Sequence, residues 1–498
     1  MVNTQSWLPW FMKGLLVFGF LLLTGRLVEL QLIKGGYYRG LAEGNRIRRV
    51  VIPAPRGLIL ARGGEILVGE EFAHVSGYLG EASPEEVGKI DPQCPEKGPR
   101  LLGSLVGRGG LEEQYNCLLS GIDGEELIEV DTNGEKVRIL GKNDPVPGRN
   151  IKTNIDYKLQ KKAAEIMGGN KGAIIVSDPT GEILVLFSSP SFDPKAVSKI
   201  LNDKDLPLFN RAIGGIFHPG SVFKPLVAIA ALEEGKIDKN YVFADPGIIT
   251  VKTLYGSFSY SNWYFSQYGK TEGEIGLTRA IARSTDTFFY KLGELVGIEK
   301  LDEWMVNFGL NKLTGIDIPG EVKSLIPSPE WKLKERGEKW FLGNTYHLAI
   351  GQGDLALTPL ALNRIFSAIA SGGKLCTPRI VNKGGWVRSD CKDLKIKREN
   401  LNLVKQGMVE ACGSGGTGYT FFDWNSGPSA SLGTIACKTG TAETNEDGKT
   451  HAWFSLFAPA DFPEIVLTVL VEGGGEGSKV AGPLAREIMD YWNLQNRP

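Results

Sequence analysis

Ser221 and Lys224 stand three residues apart in the run Phe217-His218-Pro219-Gly220-Ser221-Val222-Phe223-Lys224-Pro225. Three residues is about one helical turn, so hydroxyl and amine fall on one face. A lysine held close to a hydroxyl in a partly buried site can lose its proton and act as general base for a serine nucleophile. Pro219 and Gly220 mark a turn before the helix and place Ser221 near its N-terminus. There the backbone N–H lacks a helical acceptor and can donate to a developing oxyanion. Two other runs, Ser371-Gly372-Gly373-Lys374 and Ser389-Asp390-Cys391-Lys392, share the spacing, and about two such matches are expected by chance in a chain this long. Both lie in glycine-rich or charged loop sequence with no helix to align the pair.

Two later stretches supply what such a nucleophile needs. Arg283-Ser284-Thr285-Asp286-Thr287-Phe288-Phe289-Tyr290 puts a hydroxyl and a carboxylate ahead of an aromatic helical stripe. Taken alone, Ser284 reads as a helix cap. Cys437-Lys438-Thr439-Gly440-Thr441-Ala442 is the one Lys-[Ser/Thr]-Gly of the chain, and it stands at the end of a predicted strand over 434–438. A strand beside the nucleophile would present Lys438 to a substrate carboxylate. Gly440 would let substrate backbone approach closely, and the Thr441 N–H would be a second oxyanion donor.

The elements that must position these residues can be read around them. Asn154 or Asp156 caps a helix to about Met167, and Ala173–Asp178 with Ile183–Ser188, around Pro179-Thr180-Gly181, is a β-hairpin signal. Thr434–Lys438, Ala452–Phe457 and Ile465–Val471 are three more apolar strands, and a last amphipathic helix begins at Pro483. Strands at both ends of 150–498 with helices between them imply an α/β domain whose sheet joins N- and C-terminal pieces. Upstream, Arg46–Leu60 reads as extended, residues 81–100 as a surface loop, and Gly110–Gly121 as a helix stopped by Gly121.

Composition narrows the class. The 498 residues are 42% hydrophobic and 23% charged, with net charge -1, so the chain is globular, of two or three domains, and carries no basic signature for nucleic acid. Cys94, Cys117, Cys376, Cys391, Cys412 and Cys437 include no C-x-x-C pair; one or two disulfides and buried free thiols both remain open. His74, His218, His347 and His451 are isolated and form no H-E-x-x-H, so no metal site is expected, and no G-x-S-x-G supports a Ser-His-Asp triad. Leu8–Gly25 is apolar apart from Lys13 and Thr24. Its uncharged core is short enough for a signal peptide, but no small-x-small site follows and the pattern continues as helix past Arg26. The expectation is therefore an uncleaved membrane anchor, with Lys13 snorkelling and Trp7 and Trp10 at the boundary.

Three motifs in this order, each in a fitting local context, resemble those of high-molecular-mass class B penicillin-binding proteins. Arg56-Gly57, Gly110-Leu111-Glu112, Asp178–Pro194, Gly315–Glu321 and Ile350–Gly353 carry the likeness along nearly the whole chain, and Pro327–Pro359 is most similar to the elongation, or rod-shape, subgroup. The resemblance implies a penicillin-binding/serine β-lactamase-like transpeptidase domain, a mostly antiparallel sheet flanked by helices, over 151–498. It implies a short cytoplasmic tail and transmembrane anchor over 1–30 and a small, elongated, strand-rich pedestal of the dimerisation type over 31–150. It further implies a single-pass protein of the bacterial cytoplasmic membrane with its catalytic domain outside. The implied reaction cross-links peptidoglycan stem peptides, D-Ala-D-Ala donor to amine acceptor, through a Ser221 acyl-enzyme that β-lactams trap, with no cofactor. Catalytic roles would fall to Ser221, Lys224, Ser284, Asp286 and Lys438, and substrate or oxyanion binding to Thr439, Gly440 and Thr441. A separate glycosyltransferase of the elongation complex is the implied partner. The family's second motif usually ends in Asn; Asp286 instead can pair with Lys224 and hold it protonated at rest. The pedestal is shorter than usual for the class. A DD-carboxypeptidase, a β-lactamase or an inactive β-lactam-binding scaffold would share the motifs.

Overall fold

The computed structural model describes residues 6–131, 133–253, 256–382, 390–424, 433–444 and 448–495. The chain forms two compact units: Met1–Gly57 with Lys89–Pro99 and Cys117–Arg149, and Leu58–Gly88 with Arg100–Asn116 and Asn150–Pro498.

In the first unit, α1 (Leu8–Val28) has Pro9 in its first turn, where a missing N–H costs nothing. It continues through a π-helical turn, Glu29–Ile33, into one 26-residue helix, long and apolar enough to cross a membrane. Glu29 pairs with Arg26 at 2.5 Å and with Lys34 at 2.7 Å. Strands β1 (Ile47–Ile52), β2 (Gly124–Val130) and β3 (Lys136–Asn143) form an antiparallel sheet in the order β1-β2-β3. The expected loop over 81–100 contributes Cys94 to this unit, bonded to Cys117.

The second unit is built on one five-stranded antiparallel sheet. Helix α2 (Tyr157–Met167) is capped by Asp156, whose side chain accepts from the Leu159 N–H. Strands β4 (Gly172–Ser177) and β5 (Ile183–Ser189) form the expected hairpin. Helices α3 (Lys224–Glu233), α4 (Leu277–Arg283), α5 (Asp286–Val296), α6 (Pro359–Ala370) and α7 (Arg398–Ala411) fill the middle of the chain. β6 (Ala436–Glu443), β7 (Thr450–Ala458) and β8 (Ile465–Val471) return to the sheet, and α8 (Ala481–Gln495) closes it. The order is β6-β7-β8-β4-β5, so the last three strands pair with the first two exactly as a split sheet requires, and β6 is an edge.

Successive side chains alternate between two cores. Val466 and Leu470 of β8 pack with α3, α5 and α6, while Leu467 and Val469 pack with α2 and α8. Both faces are covered, which is why these strands read as unbroken apolar runs.

Three expectations need adjustment. The third motif lies inside β6, which runs on to Glu443, because the ladder to β7 continues through Thr450. The expected helix over 110–121 is two short helices, Gly110–Gln114 and Asn116–Leu119, broken at Tyr115. Leu58–Gly88 and Arg100–Asn116 group with 150–498 in the second unit: Ile59–Leu60 pairs with Ile151–Lys152, Phe72 stacks on Tyr157 at 5.0 Å, and Gln160 Nε2 donates to Glu71 O. All six cysteines are paired, Cys376 with Cys391 across a strand pair and Cys412 with Cys437, so the expected one or two disulfides become three and the free-thiol alternative falls.

Candidate active site

The nucleophile turn is shaped before its helix begins. Gly220 takes φ +57, and a Cβ there would lie 2.7 Å from Thr441 O. Its N–H donates to Gly351 O at 2.8 Å, and a Cβ on Gly351 would sit 2.1 Å from Gly220 O. Glycine at both positions lets the turn press against β6. Residues Gly220–Phe223 form a 3-10 turn that leads into α3. In 3-10 geometry positions i and i+3 fall on one face, and half-buried Ser221 stands one turn before Lys224. His218 is held at both ends: its Nδ1 lies 2.6 Å from Leu355 O, and its carbonyl accepts from Trp453 Nε1 at 2.9 Å.

Lys224 is the hub. Its side chain is wholly buried, and Nζ meets Ser284 O at 2.8 Å, Ser284 Oγ at 3.2 Å and Asp286 Oδ1 at 2.6 Å. Three acceptors match the three donors of an ammonium. Burial lowers the Lys224 pKa, and the charge and hydrogen bond of Asp286 oppose that fall. Ser284 reaches this position from a left-handed backbone, φ 56, between α4 and α5. That conformation is uncommon for a residue with a Cβ. It turns both the carbonyl and the hydroxyl of one residue toward the same lysine.

Asp286 opens α5, where the free N–H groups favour a carboxylate. Its second oxygen accepts from the Trp263 N–H at 3.0 Å, and its own N–H donates to Asn262 Oδ1. Asn262 is fixed in turn by Asp245, a buried carboxylate that accepts from Asn262 Nδ2, Thr287 Oγ1 and the Gly247 and Glu272 N–H groups. Four donors offset the desolvation of Asp245 without a cation.

Lys438 is also wholly buried, and its Nζ donates to Thr439 O at 3.1 Å. Burial lowers its pKa well below the lysine range; the Lys224 charge adds to this and Asp286 opposes it. Thr439 Oγ1 donates to Thr417 Oγ1 at 2.8 Å, and Thr441 Oγ1 accepts from the Gly477 N–H. A Cβ on Gly440 would meet Pro219 O and Val222 at 3.0 Å, so the absent side chain is what lets β6 lie against the nucleophile turn.

The structure thus brings all eight residues singled out in the sequence into one neighbourhood. The competing lysine Lys374 opens a strand, with Ser371 Oγ spent on Ala368 O and Lys374 O; Ser389 lies outside the described residues. Asp245, Asn262, Trp263 and Thr417 were not foreseen. They hold the site by contacts between distant segments, and no local pattern announces such contacts.

Known proteins share this fold. Residues 172–490 match the penicillin binding protein transpeptidase domain, and residues 69–153 the penicillin-binding protein dimerisation domain. The peptidoglycan D,D-transpeptidase MrdA of Acinetobacter baumannii is 35% identical over 463 residues, 86% of this chain and 66% of that protein. The chain thus spans about two thirds of that relative's length. The crystal structure of Pseudomonas aeruginosa PBP2 in complex with WCK 5153 is 32% identical, with a TM-score of 0.75 over 89% of this chain and 96% of that one. A structure describing coordination of polymerization and crosslinking by a peptidoglycan synthase complex is 26% identical, with a TM-score of 0.74 over 98% of each chain. A catalytic-type cleft built from three motifs, on a matching fold and alongside a matching dimerisation domain, identifies this chain as a member of the penicillin-binding protein family of peptidoglycan D,D-transpeptidases, similar to the rod-shape elongation enzymes.

Proposed function

We propose that this chain cross-links peptidoglycan stem peptides through an acyl-enzyme on Ser221. The observation that carries the reading is Lys224 Nζ, bonded at once to Ser284 and Asp286 beneath the Ser221 turn. In this scheme Lys224, as its neutral amine, takes the Ser221 proton while Oγ bonds to the penultimate D-Ala carbonyl carbon. The N–H groups of Ser221 and Thr441 hold the oxyanion. The C–N bond then breaks as Ser284 passes its proton to the departing D-Ala amine and is refilled by Lys224, which returns to the neutral amine. An amine of a second stem peptide attacks the ester and loses a proton to Lys224, which hands it to Ser221 Oγ as the ester C–O bond breaks. Lys438, Thr439 and Thr441 bind the terminal carboxylate, and Gly440 admits the substrate backbone.

Asp286 holds Lys224 as ammonium until the cleft fills, while burial keeps that proton loosely bound. In the same reading α1 anchors a single-pass protein in the bacterial cytoplasmic membrane with the second unit outside, 31–150 serves as pedestal, and a glycosyltransferase of the elongation complex is the partner. The synthase complex among the similar structures supports that partnership.

Labelling with a fluorescent penicillin tests the nucleophile: wild type forms a covalent adduct and Ser221→Ala does not. An adduct on Ser221→Ala would refute the assignment. Rapid adduct decay would mark a β-lactamase, D-Ala release without cross-linked product a carboxypeptidase, and a lasting adduct with neither D-Ala release nor cross-linking an inactive β-lactam-binding scaffold.

A further inference from the structure

Strand β6 is an edge of its sheet, and one row of its backbone groups stays free of β7. The Thr444 N–H donates to Lys449 O, one rung beyond the pair of Glu443 with Thr450. Residues of an antiparallel ladder alternate between bonding their neighbour and turning away from it. Thr441 and Glu443 therefore both turn their N–H and C=O groups to the open edge. That edge faces the nucleophile turn, since a Cβ on Gly220 would lie 2.7 Å from Thr441 O. The side chains of Thr441 and Glu443 share one face of the strand, and both are exposed.

Glu443 brings a charge to this edge. Among the described residues its carboxylate has neither an ion pair nor a hydrogen bond. Its field nevertheless enters the cleft wall. Burial raises the Tyr290 pKa, and the charges of Asp286 and Glu443 raise it further. Tyr290 and Asp286 lie on α5, so the Glu443 charge reaches the helix that the second motif opens.

The direction of a bound donor peptide follows from the roles given above. Its terminal carboxylate lies at Lys438 and Thr439, and its scissile carbonyl lies at the Thr441 N–H. The chain upstream of the scissile bond must then run along β6 toward Glu443. Two residues of strand span about 7 Å, so Glu443 stands beside the residue that precedes the D-Ala-D-Ala pair. Donor and acceptor are stems of one polymer, and the acceptor attacks with an amine. The donor therefore carries such an amine as well.

We propose that Glu443 is a specificity-determining residue, which binds the protonated side-chain amine of the donor residue just before D-Ala-D-Ala. An amine paired with a carboxylate stays an ammonium and has no lone pair to attack the ester, so the donor's own amine does not compete with the acceptor's. This rests on the donor reading of Ser221 and the third motif under Proposed function.

The test uses the full chain in detergent and two peptides, L-Lys-D-Ala-D-Ala and its Nε-acetyl form, which lacks the charge. Each is measured by how far it slows labelling by a fluorescent penicillin. Wild type is protected better by the free amine, about two- to fivefold, the range for an exposed ion pair, and added salt shrinks the difference. Glu443→Gln removes the preference by weakening the free-amine peptide alone, and Glu443→Lys reverses it. The labelling rate without peptide is unchanged in Glu443→Gln, which reports that the variant is folded. If wild type shows no preference, or Glu443→Gln keeps it or weakens both peptides equally, the inference is overturned while the Ser221 reading stands. If neither peptide protects wild type, the donor reading falls, and this inference with it.

Discussion

Asp286→Asn isolates the charge that holds Lys224. The amide keeps one acceptor oxygen, so it can serve either Lys224 or the Trp263 N–H but not both as Asp286 does at 2.6 and 3.0 Å. The larger loss is electrostatic. Lys224 is wholly buried, and removing one partner of a buried pair costs about 3–5 kcal/mol. The lysine has an escape, which is to fold as the neutral amine. At pH 7 that costs at most about 4.8 kcal/mol: about 1.4 kcal/mol for each of the roughly 3.4 units between pH 7 and the unfolded lysine value of about 10.4. Burial already lowers the Lys224 pKa in the native protein, so the measured penalty falls below this ceiling.

The sign with pH follows. In the variant the unfolded chain binds one proton that the folded chain does not, so its stability rises with pH by up to about 1.4 kcal/mol per unit. Wild type holds that proton in both states and gains nothing until Lys224 deprotonates. Denaturant unfolding by tryptophan fluorescence between pH 6.5 and 8.5 should therefore show a gap of about 3 kcal/mol near pH 7 that narrows upward. The acid limb of penicillin acylation should move to lower pH, because the variant's Lys224 loses its proton more readily. A gap that does not change with pH, or an acid limb that moves upward, would refute the role given to Asp286.

Further outcomes are expected. Burial and the Lys224 charge lower the Lys438 pKa, and an arriving carboxylate raises it, so the non-covalent affinity for an acidic β-lactam should weaken as pH rises, by up to about tenfold per unit; the methyl ester should show no such trend in competition binding. His74 is buried with Nε2 donating to Pro207 O, and its pKa is lowered to about 4. Its unfolded form takes up a proton first, so stability should fall by about 3 kcal/mol as pH drops from 6.5 to 4, and His74→Gln should flatten that slope in urea unfolding. Gly351→Ala would force a Cβ to 2.1 Å from Gly220 O at φ +77, which should cost about 1–3 kcal/mol and slow acylation at least tenfold in stopped-flow labelling, with the ligand's binding constant changed less.

Local sequence determined much of this protein. The turn Pro219-Gly220 ahead of an apolar helix separated Ser221 from two rivals, because a turn and a helix are properties of neighbouring residues. The alternation and apolar runs of 173–188 and 434–471 announced a sheet divided between the ends of the domain, because strand burial is written in side-chain type. Other features depend on segments far apart. Asp245 reaches Asp286 only through Asn262, and Thr417 meets Thr439 only when the end of α7 is bound to β6. The three disulfides required the same knowledge of pairing. Most of all, the surroundings of the two lysines were not in the motifs. Lys224 lies buried against three acceptors and Lys438 against one carbonyl, so two chemically similar side chains meet different electrostatic environments, and only the tertiary structure sets which meets which.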